Sequence, residues 1–311
     1  MTLIELIDQG AARLDAAQVA FGHGTDNAFD EATWLVLWRL GLPLDTPLDG
    51  LDSLADSPVT AQLQARVAAL LDERIGSRKP AAYLTGEAWL QGVPFYADAR
   101  AIVPRSFIAE LLAESAIDPW LGRHTARVLD LCTGNGSLAV LAAMAWPEVQ
   151  VDAADIDPDA LAVARINVDR HGLEQRIRLL QSDGWAALDE RYDLVLCNPP
   201  YVNSASMAAL PAEYRAEPAR ALAGGSDGMD LIRRLLRDAA QHMTAHAVIV
   251  LEIGHERAHF EAAFPTLELV WLQTSAGPDQ VVLISRDALP ADQARHAGSA
   301  GRDPAAGARS P

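Results

Sequence analysis

The chain has 311 residues, which is more than one hydrophobic core usually holds, so two domains are expected. Half of the residues are hydrophobic and 22% are charged, a composition typical of a globular protein and not of a disordered or fibrous one. The 42 acidic and 25 basic residues give a net charge of −17, which argues against bare nucleic acid as the main partner and is compatible with a basic protein partner.

The N-terminus and the cysteines indicate where the protein works. Acidic Glu5 and Asp8 stand where a signal peptide would carry basic residues, and no stretch approaches 18 uninterrupted apolar residues, so we expect neither a secretory signal nor a membrane span. Cys132 and Cys197 each lie in an apolar run and are expected to be buried free thiols in a reducing cytoplasm. Two cysteines without clustered histidines predict no metal site.

The first hundred residues are predicted to be mostly helical. Apolar residues recur at helical spacing in three segments of residues 1–87, and Gly41 ends the second segment. Residues 88–104 combine apolar and turn residues in a pattern that predicts a β-hairpin. Between the first two helices, His23 is interpreted as a turn histidine at the surface, and Asp26 is the candidate cap of the second helix.

From residue 105 the pattern changes to alternating strands and helices. This alternation predicts βαβ units and a largely parallel sheet, with ligands bound at the carboxyl ends of the strands. The last two strands flank Gly277 and Pro278, which suits an antiparallel hairpin at the edge of the sheet. Residues 290–311 are rich in Ala, Gly, Pro and Arg and are expected to be a disordered tail. The predicted strands are 127–131, 149–154, 177–181, 192–197, 247–253, 267–272 and 280–285, and the predicted helices between them are 138–145, 158–171 and 230–243.

The first two strands of this region end in residues suited to a nucleoside. Gly134 and Gly136 allow a tight turn that brings the backbone close to a ligand, although a pair of glycines alone is weak evidence and leaves a nicotinamide site open. Asp155 can accept hydrogen bonds from both hydroxyls of a ribose. It is free for this role because Asp157 is better placed to cap the following helix. The glycine turn itself has the sequence Asp130-Leu131-Cys132-Thr133-Gly134-Asn135-Gly136.

The third strand is followed by Ser182-Asp183-Gly184-Trp185. Asp183 can accept a hydrogen bond from the amino group of an adenine, with Gly184 or Trp185 beside the ring. The alternative is a turn aspartate followed by a tryptophan of the core, and the sequence favours neither.

The fourth strand ends in Cys197-Asn198-Pro199-Pro200-Tyr201. Two successive prolines fix φ and remove two N–H donors, so the main-chain carbonyls of this segment are held rigidly. Asn198 adds a side-chain donor and acceptor, and Tyr201 adds an aromatic face. The segment therefore suits a planar group that carries an NH₂, whose hydrogens the oxygens accept and whose plane packs on the ring. An ordinary proline turn is the alternative.

Together these motifs resemble the class I methyltransferases that use S-adenosylmethionine, and the Asn198–Tyr201 segment is similar to those that methylate an amino or amide nitrogen. Two groups share it, the protein glutamine methyltransferases and the nucleic-acid amino methyltransferases. The rest of the chain resembles the protein-(glutamine-N5) methyltransferase family, in particular at Pro80–Gly86, Val103–Arg105 and Leu210–Pro218. This resemblance implies an α/β fold with a seven-stranded, mostly parallel Rossmann-like sheet and a small helical N-terminal domain.

In that family the N-terminal domain recognises the substrate, and the resemblance assigns this role to residues 1–87. Residues 88–104 become the hairpin linker and residues 105–289 the methyltransferase domain. Two details concern the subgroup. Phe21–Asn27 resembles the signature of enzymes that act on large-subunit ribosomal protein three, and Ser106 stands where release-factor enzymes carry proline.

The resemblance implies a basic ribosomal protein as substrate, free or within an assembly intermediate, and neither DNA nor a membrane as a partner. Three alternatives remain: a release-factor glutamine methyltransferase, a nucleic-acid amino methyltransferase, and a non-catalytic ribosome assembly factor. The sequence departs from many relatives at Cys132, where they have glycine, and at Phe107, where they have proline.

The resemblance also implies roles for individual residues. The Asn198 side-chain oxygen and the Pro199 carbonyl would accept the two hydrogens of a glutamine amide, with Pro200 and Tyr201 completing the substrate site. Glu252, at the end of the fifth strand, would shape this site or have a structural role. S-adenosylmethionine is the expected cofactor, bound by Asp130, Cys132, Thr133, Gly134, Asn135, Gly136, Asp155, Ile156, Asp183, Gly184 and Asn198.

Overall fold

Three helices form the N-terminal region of the computed structural model, which describes residues 1–290. They are α1 (Leu3–Ala16), α2 (Ala28–Leu40) and α3 (Ala61–Ser77), and they confirm the three predicted helices. Their apolar faces pack into one hydrophobic cluster, as the helical spacing of leucines and alanines requires. The tail predicted for residues 290–311 lies outside the described residues except for its first residue.

The ends of these helices follow ordinary capping chemistry. Gly41 ends α2 in the left-handed conformation, as predicted. The predicted cap at Asp26 is wrong, because the Asn27 side chain accepts the hydrogen bond from the Asp30 N–H at 2.9 Å. A fourth short helix, α4 (Ala81–Thr85), was not predicted, since five residues are too few to show a helical period.

The predicted hairpin is confirmed. Strands β1 (Glu87–Leu90) and β2 (Val93–Tyr96) pair antiparallel around a two-residue turn of Gln91 and Gly92, both of which have positive φ. The main-chain N–H of Tyr96 donates to the Asn167 side chain at 2.7 Å, which holds the hairpin against the methyltransferase region. Residues 97–104 then run without regular structure to the next helix.

The seven-stranded sheet has the order β5-β4-β3-β6-β7-β9-β8. Strands β3 to β7 are parallel, and β9 is antiparallel to both of its neighbours. The predicted edge hairpin is confirmed, although Gly277 and Pro278 lie inside β9 and not in the turn. The strands are β3 (Arg127–Leu131), β4 (Gln150–Asp155), β5 (Ile177–Gln181), β6 (Tyr192–Cys197), β7 (Met243–Glu252), β8 (Val270–Thr274) and β9 (Gly277–Ser285).

Helices cover both faces of the sheet. Alternate residues of each strand, such as Val128 and Leu129, belong to two separate hydrophobic clusters, one on each face. The predicted helices are confirmed as α6, α7 and α10, whereas α5, α8 and α9 were missed. The sequence also predicts a helix that carries His255 and His259, which are four residues apart; the helix found there, α11, begins only after His255. The helices are α5 (Phe107–Ala113), α6 (Ser137–Ala145), α7 (Pro158–Arg170), α8 (Ser204–Ala209), α9 (Ala212–Arg215), α10 (Asp230–Asp238) and α11 (Arg257–Ala263).

Of the helices in residues 1–290, none is long and apolar enough to cross a membrane. The central strand of the seven is β6, and the chain enters the sheet at the neighbouring strand β3. From there the chain builds outward through β4 and β5 on one side, and then through β6 and β7 on the other. Ligands of open α/β sheets bind at this reversal, beyond the carboxyl ends of the strands.

Candidate active site

A cavity of about 560 Å³ opens at the carboxyl ends of β3, β4, β5 and β6. Its size lies within the range of about 300–1,000 Å³ that is usual for small-molecule sites. Seven of the predicted cofactor residues line this cofactor cavity, and Pro200, predicted for the substrate site, lies on the same wall. The seven are Cys132, Gly134, Asp155, Ile156, Asp183, Gly184 and Asn198.

The other four predicted cofactor residues lie outside the cavity lining. Asp130 is fully buried and accepts hydrogen bonds from the Thr133 hydroxyl at 2.5 Å and from the Ala139 N–H at 2.9 Å. Burial raises its pKa to about 7. One Asp130 oxygen and the Asn135 side-chain nitrogen are buried without a partner among the described residues.

The glycines of the turn have different functions. A Cβ at Gly136 would lie 3.1 Å from the Ala164 Cβ of α7, so this glycine permits close packing of the turn on the helix. A Cβ at Gly134 would meet no described atom within 4 Å. Because Gly134 lines the cofactor cavity, that open space lets a ligand approach the backbone. Cys132 has a φ of +65°, a conformation that favours glycine.

Asp155 ties the turn after β3 to the end of β4. Its two oxygens accept hydrogen bonds from the N–H groups of Gly134 and Asp157, both at 2.9 Å. Burial raises the pKa of Asp155 above its usual value. Asp157, as predicted, caps α7 by accepting from the Asp159 N–H, so Asp155 is not needed for the helix.

The structure at the end of β5 decides whether Trp185 lies beside the adenine or in the core. Trp185 is only 8% exposed, its indole N–H donates to the Leu235 carbonyl, and its ring stacks on His242, so Trp185 is a core residue. Asp183 lines the cofactor cavity and pairs through both oxygens with Arg234 of α10, at 2.5 and 3.1 Å. No local pattern predicts this partner, because it lies 51 residues away in the chain.

A second cavity of about 450 Å³ adjoins the first, and Asn198 lies on the walls of both. Pro199 and Tyr201 line this second space, which we call the acceptor cavity. Residues from several other parts of the chain also line it, including Gly22 and Asp26 of the N-terminal region, Arg105 and Phe107 after the linker, and Glu252 of β7. The Asn198–Tyr201 segment thus lies between the two cavities.

The orientation of Asn198 is fixed by Arg105, which directly follows the linker. Its side-chain nitrogen donates to the main-chain carbonyl of Arg105 at 3.3 Å, so the other end of the amide is its acceptor oxygen. Arg105 is in turn held by two bonds of 2.6 Å to the carboxylate of Glu217, which also accepts from the Val103 N–H at 2.9 Å. A buried carboxylate therefore holds the segment that orients Asn198.

Glu217 is ionised despite its burial. Desolvation acts to raise its pKa, but the two hydrogen bonds from Arg105 and the neighbouring His23 ring outweigh this effect and hold the pKa at about 2. His23 is only 1% exposed, so the prediction of a surface histidine is wrong. Its Nε2 lies 3.4 Å from a Glu217 oxygen, and its ring packs on Tyr214 with the centroids 4.3 Å apart.

The segment around α9 joins the N-terminal region to the acceptor cavity. Arg74 is fully buried and pairs with Glu31 at 2.8 Å, and it also lies 3.6 Å from Glu213. Arg78 pairs with Glu213 at 3.2 Å. A Cβ at Gly22 would lie 2.4 Å from the Tyr214 hydroxyl, so only glycine allows this contact. The family-like segments Phe21–Asn27 and Leu210–Pro218 thus touch each other in the fold.

Glu252, at the end of β7, connects three elements. One of its oxygens accepts from the Ser106 hydroxyl at 2.5 Å and from the Phe107 N–H at 2.9 Å, and the other accepts from the Tyr201 hydroxyl at 3.3 Å. Burial raises the pKa of Glu252 to about 7, although these hydrogen bonds act in the opposite direction. Both roles proposed from the sequence, a pocket wall and a structural anchor, are compatible with this position.

The sheet order, the glycine turn with Asp155 at the switch point, and the Asn-Pro-Pro-Tyr segment beside them define a class I S-adenosylmethionine-dependent methyltransferase. A family model for the methyltransferase small domain matches residues 108–226. Curated relatives of nearly the same length narrow the assignment, and the chain belongs to the ribosomal protein uL3 glutamine methyltransferase family.

Three of these relatives are described as ribosomal protein uL3 glutamine methyltransferases. The protein of Bordetella pertussis is 55% identical, with 93% of this chain and 96% of the relative covered. The protein of Burkholderia pseudomallei is 51% identical with the same coverage. That of Neisseria gonorrhoeae is 43% identical, with 93% and 95% covered.

Among solved structures, the ribosomal protein L11 methylase of Lactobacillus delbrueckii subsp. bulgaricus aligns at 18% identity and a TM-score of 0.39, over 57% of this chain and 76% of that one. This alignment is too distant to add to the family assignment. The predicted fold class, the enzymatic nature of the chain and S-adenosylmethionine as its cofactor are confirmed. The roles of individual residues stay predictions.

Proposed function

We propose that this chain transfers the methyl group of S-adenosylmethionine to the side-chain amide nitrogen of a glutamine in ribosomal protein uL3. The observation that carries the proposal is the position of Asn198, which borders both cavities and has its amide fixed by the Arg105 carbonyl. An amide acceptor suits this geometry, and the relatives' names supply the substrate.

The chemical difficulty lies in the acceptor, because an amide nitrogen delocalises its lone pair into the carbonyl. The cofactor supplies a methyl group that its sulfonium already makes electrophilic. The Asn198 side-chain oxygen and the Pro199 carbonyl accept the two amide hydrogens. These hydrogen bonds strengthen as the nitrogen becomes cationic, so they stabilise the transition state more than the bound substrate.

The remaining residues of the segment hold the reacting groups in place. Tyr201 packs on the plane of the glutamine amide, and the paired prolines keep the segment rigid. Pro200 faces the cofactor cavity, so it holds the cofactor side of the segment while Pro199 faces the acceptor side. Alignment of two bound partners supplies much of the rate. The proton leaves to water after transfer, and no dedicated base is required.

On the cofactor side, Asp155 accepts hydrogen bonds from the ribose hydroxyls, and Asp183, held by Arg234, accepts one from the adenine amino group. Cys132, Gly134, Ile156 and Gly184 form the cavity wall. Asp130, Thr133, Asn135 and Gly136 give the turn its shape. No metal takes part in this scheme.

The proposed roles of the domains follow the division between the acceptor side and the cofactor side. Residues 1–87 recognise the substrate, which is supported by Gly22 and Asp26 on the wall of the acceptor cavity. Residues 88–104 link this domain to the methyltransferase domain of residues 105–289. The substrate is a basic cytoplasmic protein, free or in an assembly intermediate, and DNA is not a partner. The net charge of −17 supports this choice, since opposite charges speed association.

The test offers one labelled cofactor to four acceptors: uL3, a release factor, DNA and an assembly intermediate that contains uL3. We expect incorporation into uL3 or its intermediate, with the added mass located on one glutamine by mass spectrometry. Labelling of the release factor alone, or of DNA, would contradict the proposal. A ribosomal protein preparation from cells that lack this chain should lose one methyl group from the same glutamine.

A further inference from the structure

We infer that Glu252 is a positioning residue for methyl transfer and that it acts through the hydroxyl of Tyr201. This inference rests on the proposed function, because it assigns Tyr201 to the acceptor amide. Glu252 is 3% exposed and lines the acceptor cavity at the carboxyl end of β7. Its second oxygen bonds to Tyr201, so it joins the buried strand end to the aromatic ring beside the acceptor.

The two oxygens of Glu252 face different partners. One oxygen receives the Ser106 hydroxyl and the Phe107 N–H, which fixes the carboxylate against the start of α5. The other oxygen receives only the Tyr201 hydroxyl among the described hydrogen bonds. Because the first oxygen is anchored twice, the position of the second is determined, and with it the position of the tyrosine hydroxyl.

The surrounding backbone leaves the tyrosine ring little freedom. A Cβ at Gly254 would lie 2.5 Å from a ring carbon of Tyr201, so the ring rests directly on this glycine. A Cβ at Gly224 would lie 2.7 Å from the Tyr201 Cα, and one at Gly228 would lie 2.1 Å from its carbonyl oxygen. The base of the residue is thus held by glycines, and the hydroxyl is held by Glu252.

The anchor matters for the charge that develops during the reaction. The acceptor nitrogen becomes positive in the transition state, and the face of an aromatic ring attracts a positive charge. A hydrogen bond from the tyrosine hydroxyl to a carboxylate increases the negative charge on the ring. The attraction is therefore larger in the transition state than for the neutral amide, which raises kcat with little effect on KM.

The variant Glu252→Gln separates this role from a structural one. Its amide oxygen can keep the bonds from Ser106 and Phe107. Its NH₂ then faces the Tyr201 hydroxyl, which must change from donor to acceptor. The fold loses a buried carboxylate whose pKa is raised by burial, so the variant should be at least as thermostable as the wild type at neutral pH.

The experiment measures kcat, KM for uL3, cofactor affinity and Tm for the wild type, Glu252→Gln, Tyr201→Phe and the double variant. We expect Glu252→Gln to lower kcat about tenfold, with KM within about twofold and Tm not reduced. In the Tyr201→Phe background, which lacks the hydroxyl, the same change should have little further effect on kcat.

A matched control exists at the opposite end of the sheet. The Tyr192 hydroxyl donates to the buried carboxylate of Asp152 at 2.7 Å, so a tyrosine–carboxylate bond also exists away from the cavities, although this carboxylate is paired with Arg178 as well. Asp152→Asn should leave kcat unchanged. Three outcomes would overturn the inference: wild-type kcat in Glu252→Gln, an undiminished effect in the Tyr201→Phe background, or a kcat loss that follows a fall in Tm. A wild-type enzyme that does not methylate uL3 would instead overturn the proposed function.

Discussion

The cofactor cavity and the acceptor cavity meet at Asn198, but the chain builds their walls in different ways. The predicted cofactor residues on the first wall lie in short turns that directly follow strands, such as Cys132 and Gly134 after β3, and segments near residues 101, 220 and 231 complete this wall. The acceptor wall brings together segments near residues 22, 105, 201 and 252. Local backbone geometry shapes the first wall, whereas buried ion pairs and hydrogen bonds between distant residues hold the second.

This difference predicts how each wall responds to substitution. A cofactor wall made of main-chain turns should tolerate changes that the local φ and ψ values allow. An acceptor wall that depends on buried charges should fail when one partner is removed, because the remaining charge is left unpaired.

The largest effect is expected for Asn198→Ala, which removes the oxygen that we propose as an acceptor for the reacting amide. Methyl transfer should fall by at least about a thousandfold, since this bond strengthens in the transition state. Cofactor binding, followed by calorimetry, should be partly retained because the turns after β3 and β4 are intact. Near-normal turnover in this variant would contradict the assigned mechanism.

The next effect concerns Glu217→Gln, which removes the carboxylate that holds Arg105 through two bonds. The guanidinium stays largely buried without its counter-charge, so the free energy of unfolding should fall by about 3–5 kcal/mol. Denaturant unfolding measures this loss. In the exposed pair of Arg233 and Asp227, the change Asp227→Asn is the matched control and should cost less than about 1 kcal/mol. Equal losses in the two variants would show that burial of the pair is unimportant.

The pH dependence of the free energy of unfolding should also reveal the contribution of Glu217. The pKa of Glu217 is about 2 in the folded chain, against an ordinary value of 4.5. Its contribution is therefore fully present above pH 4.5 and is lost as the pH falls from 4.5 toward 2. This contribution amounts to about 3 kcal/mol. Unfolding curves across that window should be steeper in pH for the wild type than for Glu217→Gln, and parallel curves would contradict the prediction.

The smallest effect is expected on the cofactor side. Cys132 adopts a φ of +65°, which costs a residue with a Cβ about 1 kcal/mol relative to glycine. Cys132→Gly should relieve this strain, partly offset by the greater freedom of glycine in the unfolded chain. We expect Tm to change by only a few degrees and cofactor affinity to change by less than about threefold. A large loss of affinity would mean that the thiol itself contributes to binding.

The sequence predicted the parallel sheet well, since β3, β5 and β6 are apolar runs bounded by turns and their limits agree with the structure. Helices of four to seven residues, such as α5 and α9, were missed because so short a segment shows no period. The residues of the glycine turn and the Asn-Pro-Pro-Tyr segment were found because their chemistry is contiguous in the chain.

The supports of the acceptor cavity were not found. Arg105 and Glu217 are separated by 112 residues, and His23 and Glu217 by still more, so no local pattern joins them. One signal was available: a glycine on each side of His23 together with a Leu210–Pro218 segment that carries two glutamates. Both segments were recognised as family-like, but only the fold shows that they contact each other.

The burial of His23 and Arg74 against the α9 segment limits how domains can be exchanged within this enzyme group. A chimera that joins this methyltransferase domain to the N-terminal domain of another glutamine methyltransferase would keep Glu213 without this chain's Arg74 and Arg78, and Glu217 without its His23. On the domain roles proposed above, we therefore expect that a graft of residues 1–87 alone would not transfer substrate preference. A successful graft must carry the N-terminal domain, Arg105 and residues 210–218 as one co-inherited unit.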